Sequence, residues 1–112
     1  MITFEDLEKA RDAWDRMAIE AIQARAHYKE LDALKKPLRA SIFLTLKGTI
    51  AEKEAIIETS EEWKKHVKES LMASVEAEIK EHHVENLAKI WQTLYLQIKQ
   101  QEQDMLRSFA GR

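Results

Sequence analysis

Lys36, Arg39, Phe43 and Lys47 follow one another at spacings of three, four and four, which places them on one face if the segment is helical. Drawn as a strand, the odd positions Arg39, Ser41, Phe43, Thr45 and Lys47 again fall together, opposite Leu38, Ala40, Ile42, Leu44 and Leu46. Either way a guanidinium, an ammonium and an aromatic ring share a surface. That combination suits a single nucleic-acid strand, because the cations neutralise phosphates and the ring offers a face on which bases stack. Lys35 extends the group, and Lys64, Lys65 and Lys68 form a second basic cluster further along the chain. The candidate DNA-binding set is therefore Lys35, Lys36, Arg39, Phe43, Lys47, Lys64, Lys65 and Lys68. The competing reading is a solvated basic face with Phe43 turned into the core, and charge alone favours it.

The charge is local. Residues 1–34 carry eight acids and five bases, residues 35–51 four bases and no acid, and residues 52–62 five acids and one base. With a net charge of −2 over 112 residues, the chain does not coat nucleic acid by bulk attraction, so an anion site has to be a patch.

Other chemistries find less support. His82 and His83 stand among Glu78, Glu81 and Glu85, but adjacent side chains on a helix diverge by about 100° and do not share an ion readily. Neither the E-x-x-H nor the H-E-x-x-H spacing of helical metal sites occurs. The absence of cysteine excludes a thiol nucleophile, a disulfide framework and thiolate-bound zinc. No glycine-rich phosphate loop or convergent acid–base set is present, so the expectation is a protein without enzymatic activity, metal or cofactor. The N-terminus lacks a basic-then-apolar leader, and no apolar run approaches the roughly 20 residues of a membrane span, which reads as a soluble cytoplasmic protein.

Long helices must position these groups. Two glycines, one proline and 34% charged residues suit helices rather than sheets. Thr3 and Asp6 form a short capping box, after which Leu7, Ala10, Trp14, Met17, Ala21, Ala24, Tyr28 and Leu31 recur at spacings of three and four. This predicts a first long helix over 4–36. Pro37 disfavours helical geometry at Lys36 and ends or kinks it. The hinge beyond is ambiguous between helix and strand. A lone strand would have no partner in the chain, so helix is favoured. Gly48 closes that segment, Thr49 with Glu52 opens another helix, and Thr59 with Glu62 repeats the capping pattern, giving a hinge and short helix over 37–60.

A second long helix is predicted over 61–109, since no glycine or proline interrupts it. Its apolar residues first step by four, at Trp63, Val67, Leu71, Val75 and Ile79, a stripe that rotates around the helix. They then become heptad-like at Val84, Leu87, Trp91, Leu94, Ile98 and Met105, which, with Ile90, Tyr95, Leu96 and Leu106, exceed what one partner helix covers. The expected fold is all-α: two long antiparallel helices as a coiled-coil-like hairpin, one domain over 1–112. Val84, Leu87, Trp91, Leu94, Ile98 and Met105 are the candidate interface of a homo-oligomeric bundle.

Lys35-Lys36-Pro37-Leu38-Arg39-Ala40-Ser41, ending at Gly48, resembles the hinge of phage recombination mediators of the UvsY type. The tail from Ile98-Lys99 through Gln103-Asp104-Met105 to Phe109-Ala110-Gly111-Arg112 is similar to that family's last helix, and Gly48 to Glu54 with Ser60 to Trp63 looks like small phage proteins. The resemblance implies a helical oligomer in the host cytoplasm that binds single-stranded DNA, a recombinase and a single-strand-binding protein. It assigns Arg39 to DNA phosphates, with Lys35 and Lys36 assisting, and ring-like oligomerisation to the C-terminal helix. Ser41 and Pro37 depart from its pattern. The alternative function is a helical scaffold, adaptor or chaperone that binds proteins without touching DNA.

Overall fold

The computed structural model describes residues 1–111, and among them all regular structure is helical, with no strand. The chain is all-α, as its composition and periodicity predict. Helix α1 spans Phe4–Ala33, α2 Lys35–Thr45, α3 Ile50–Thr59 and α4 Glu61–Ala110. The hinge is a helix and not a strand. No helix is long and apolar enough to cross a membrane among the described residues.

The first break falls at Leu34, short of the expected end of the first helix at 36. Pro37 explains the offset. A proline four residues beyond Ala33 has no N–H for that carbonyl and crowds it, so the helix parts there and restarts with Pro37 in its first turn, where a missing donor is harmless. Leu34 keeps helical angles (φ −78°, ψ −12°) and supplies no side-chain cap.

The other boundaries follow from caps. Thr3 and Asp6 exchange hydrogen bonds, Thr3 N donating to Asp6 Oδ2 (2.9 Å) and Asp6 N to Thr3 Oγ1 (3.2 Å). Thr49 and Glu52 complete the box before α3, Glu52 N donating to Thr49 Oγ1 (3.2 Å) and Thr49 N to Glu52 Oε2 (3.4 Å). Gly48 precedes it at φ 122°, a backbone region that side chains disfavour, and a Cβ there would collide with the capping carboxylate of Glu52. The cap of α4 is Ser60, not Thr59. Ser60 Oγ donates to Ile57 O (2.9 Å) and accepts from Trp63 N (3.3 Å), whereas the Thr59 hydroxyl turns back to Ile56 O (3.0 Å).

The helices contribute to two compact units. One comprises Met1–Ala21 with α4 from Ile79 onward, and the other comprises Ile22–Glu78. In the first, α1 and α4 run antiparallel. Trp14 meets Trp91 (ring centroids 5.8 Å), and the Gln101 amide, oriented by its hydrogen bonds, pairs with both backbone groups of Ile2. Arg11 lies over Trp14 (4.7 Å) and Trp91 (5.6 Å), and Tyr95 stacks on Trp91 (5.4 Å).

In the second unit α2 packs on α3, and the core is Ile42, Ile57 and Trp63, ringed by Leu38, Phe43 and Leu46. Ile57 has no exposed surface.

The seam of α1 follows the sequence: Leu7, Ala10, Trp14, Met17, Ala21, Ala24, Tyr28 and Leu31 are all buried or half-buried. The early seam of α4 does not. Trp63 is buried, but Val67, Leu71, Val75 and Ile79 are exposed, Leu71 by 64%. In their place His66, Ala73 and Ala77 are buried and Ser70 is half-buried, at heptad spacing from Trp63. A step of four advances about 40° per repeat beyond whole helical turns, so the large apolar residues wind off the contact face while the small ones stay on it.

Candidate nucleic-acid interface

Lys35 and Lys36 occupy the first turn of α2, and Arg39 follows one turn later, so the restart forced by Pro37 gathers three cations on two turns. They line a groove of about 530 Å³ with Glu58 of α3 and with Trp63 and Val67 of α4. No acid stands in the first turn of α2, where a helix dipole is positive.

Arg39 is held from two sides. Its Nη1 donates to Glu58 Oε1 at 2.9 Å, and its guanidinium lies 5.0 Å from the Trp63 ring centroid. The ion pair is partly exposed, so it contributes about 0–1 kcal/mol, and the stacking adds a similar amount. One of five guanidinium donors is committed to Glu58, which fixes the orientation of the group and leaves the others for an incoming anion.

The rest of the predicted set divides. Lys64 and Lys68 are exposed one turn apart on α4 and are not among the residues that line the groove. Lys65 is turned about 100° from Lys64 and reaches Glu69 (3.9 Å). Lys47 lies beyond the end of α2, after the extended Leu46, and is not among the groove's lining residues.

Phe43 departs from the stacking reading. Its ring is half-buried against Ile42, Ile57 and Trp63, and Lys53 covers it at 4.6 Å from the centroid. Leu38 and Ile42 pack in the core, and Arg39 and Phe43, about 100° further around α2, border it, so the ring packs against the core while the longer Arg39 extends past it.

The proposed oligomer interface is also redistributed. Ile98 is buried, and Val84, Leu87, Trp91 and Leu94 are half-buried, along the face that α1 covers within the same chain. Met105 alone of the six is exposed (56%), since α1 begins opposite Gln101 and the last turns of α4 extend past it. Ile90, Leu96 and Leu106 are exposed as well. Apolar surface open to a second chain thus lies off the heptad seam.

His66 lies outside the predicted site residues. It is 8% exposed and stacks on Trp63 (6.2 Å, 28°), and its Nε2 has no hydrogen-bond partner. Its place three residues after Trp63, on the heptad seam, was the available signal.

His82 Nδ1 lies 3.7 Å from Glu85 Oε2 on exposed surface, and no group of three metal-ligating side chains occurs among the described residues. Compared with protein-family models, with curated proteins and with solved structures, the chain matches none.

Proposed function

We propose that this chain is a non-enzymatic recombination mediator of the phage UvsY type, which binds single-stranded DNA in the host cytoplasm and helps load a recombinase onto it. The observation that carries the reading is the groove in which Lys35, Lys36 and Arg39 converge beside Trp63. Three cations are too few for tight binding by one copy. Affinity comes from several copies acting on one strand, so the reading includes a homo-oligomer whose sites add by multivalency. A recombinase and a single-strand-binding protein are the protein partners the resemblance implies.

A mobility shift of labelled oligo-dT at 50 and 200 mM salt tests this. Three neutralised phosphates predict a loss of affinity of about tenfold or more across that range. Lys36→Ala with Arg39→Ala removes the shift, and Lys47→Ala changes it little. Binding that ignores salt, or none, sinks the proposal.

The scaffold reading is favoured by one observation, the exposed apolar line Val67, Leu71 and Val75 on α4. It predicts oligomers or protein complexes in light scattering with no affinity for the oligonucleotide.

A further inference from the structure

Beside the cationic groove lies a smaller niche of about 180 Å³, lined by Tyr28 and Asp32 of α1, Lys35 of α2, and His66, Val67, Ser70, Leu71 and Ser74 of α4. Lys35 and Val67 border both cavities, so the niche and the groove are neighbours. We propose that the niche receives one base of a single strand whose backbone lies in the groove. The proposal rests on the DNA-binding reading and names what that site recognises.

The chemistry of the lining argues for a base. His66 and Ser70 stand at seam positions where Ala73 and Ala77 pack tightly one and two turns on. A polar side chain in such a position costs stability unless it finds a partner, and an apolar residue at 66 or 70 would close the gap. His66 lines the niche through its ring, while its Nε2 is enclosed, without a partner and without exposed surface. The lining offers both donors and acceptors: the Lys35 ammonium, the Asp32 carboxylate, two serine hydroxyls and the imidazole. Val67 and Leu71 add apolar contact, and Tyr28 adds an aromatic side chain.

Rival ligands fit less well. A phosphate would meet the Asp32 carboxylate with Lys35 as its only fixed cation. A metal ion would find one carboxylate and one imidazole, with an ammonium opposed to it. A nucleobase, with carbonyl and N–H groups along its edge and apolar faces, matches the mixed lining.

The test measures fluorescence anisotropy of labelled 12-nucleotide oligo-dT against an abasic strand of the same length, at low salt, with the full chain. Stacking and edge contacts in the niche predict about tenfold tighter binding of oligo-dT. Ser70→Leu, which fills the niche and leaves every cation in place, binds both strands alike. If that variant loses its helical circular dichroism, the wild-type His66 ring resonances replace it, shifting with oligo-dT and staying fixed with the abasic strand. Equal affinity of the wild type for both strands overturns the niche while leaving the groove reading intact. Binding of neither strand overturns both. Retention of the preference in folded Ser70→Leu, or equal competition by free thymidine monophosphate, also overturns it.

Discussion

Helix α4 is one continuous element, yet its two halves use apolar residues in opposite ways. From Val84 to Ile98 the seam itself is built of large side chains, with Trp91 against Trp14 and Tyr95. From Trp63 to Ala77 the seam after the tryptophan is His, Ser, Ala and Ala, and the large residues face outward. Filling a seam with bulk makes the contact an end in itself. A seam of small and polar residues brings backbones close, leaves a niche, and frees the larger residues for another surface. The half with the weaker internal seam is the half that carries the candidate site. That fits the general trade of local stability for function.

Four perturbations test this contrast. Trp91→Ala strips the stack with Trp14 and Tyr95 and the Arg11 contact, and should cost about 3 kcal/mol in chemical denaturation. A loss under 1 kcal/mol would show that the bulky seam is not what holds that unit. Ala77→Leu adds volume at a position with no exposed surface, so overpacking should cost about 2 kcal/mol. Tolerance of leucine there would mean that the small seam is not closely packed.

Leu71→Ser should change monomer stability by no more than about 0.5 kcal/mol, because the side chain is mostly exposed, and should lower the mass seen by light scattering if this face joins copies. The smallest effect is expected at Asp6, where the hydrogen bonds from Thr3, the backbone one foremost, hold the carboxyl below its usual range. A depressed folded-state value means that the cap is fully stabilising above the unfolded carboxyl range and is lost as pH falls through the folded one. Asp6→Asn should therefore flatten a small acid-limb slope in thermal melts, and an unchanged slope would remove Asp6 as its source.

Much of this was legible in the residues. The α1 seam was readable throughout because large and small apolar residues recur there without competition. The opening of α4 was misread because Val67, Leu71, Val75 and Ile79 form a more conspicuous line than His66, Ser70, Ala73 and Ala77. Hydrophobicity marks what could be buried, whereas the contact face is decided by which period a straight helix pair can sustain. Pro37 signalled a break, but its effect falls on the carbonyl four residues earlier, which moved the boundary to Leu34. At the site, the clustering of Lys35, Lys36 and Arg39 was visible from spacing. The pairing of Arg39 with Glu58 and Trp63 was not, since it depends on how α3 returns to α2. Phe43 could be assigned to either role until Lys53 was seen to cover it.

Ser60 has a further consequence. Because one residue both ends α3 and starts α4, with its hydroxyl bonded to Ile57 on one side and Trp63 on the other, the joint has no slack. Inserting a single amino acid there would turn α4 by about 100° relative to α3. Trp63 would swing away from Ile57, and the tryptophan face on which Arg39 rests would go with it. Chain length at this corner is therefore fixed as tightly as side-chain identity, and natural insertions are expected at Leu46–Thr49 instead.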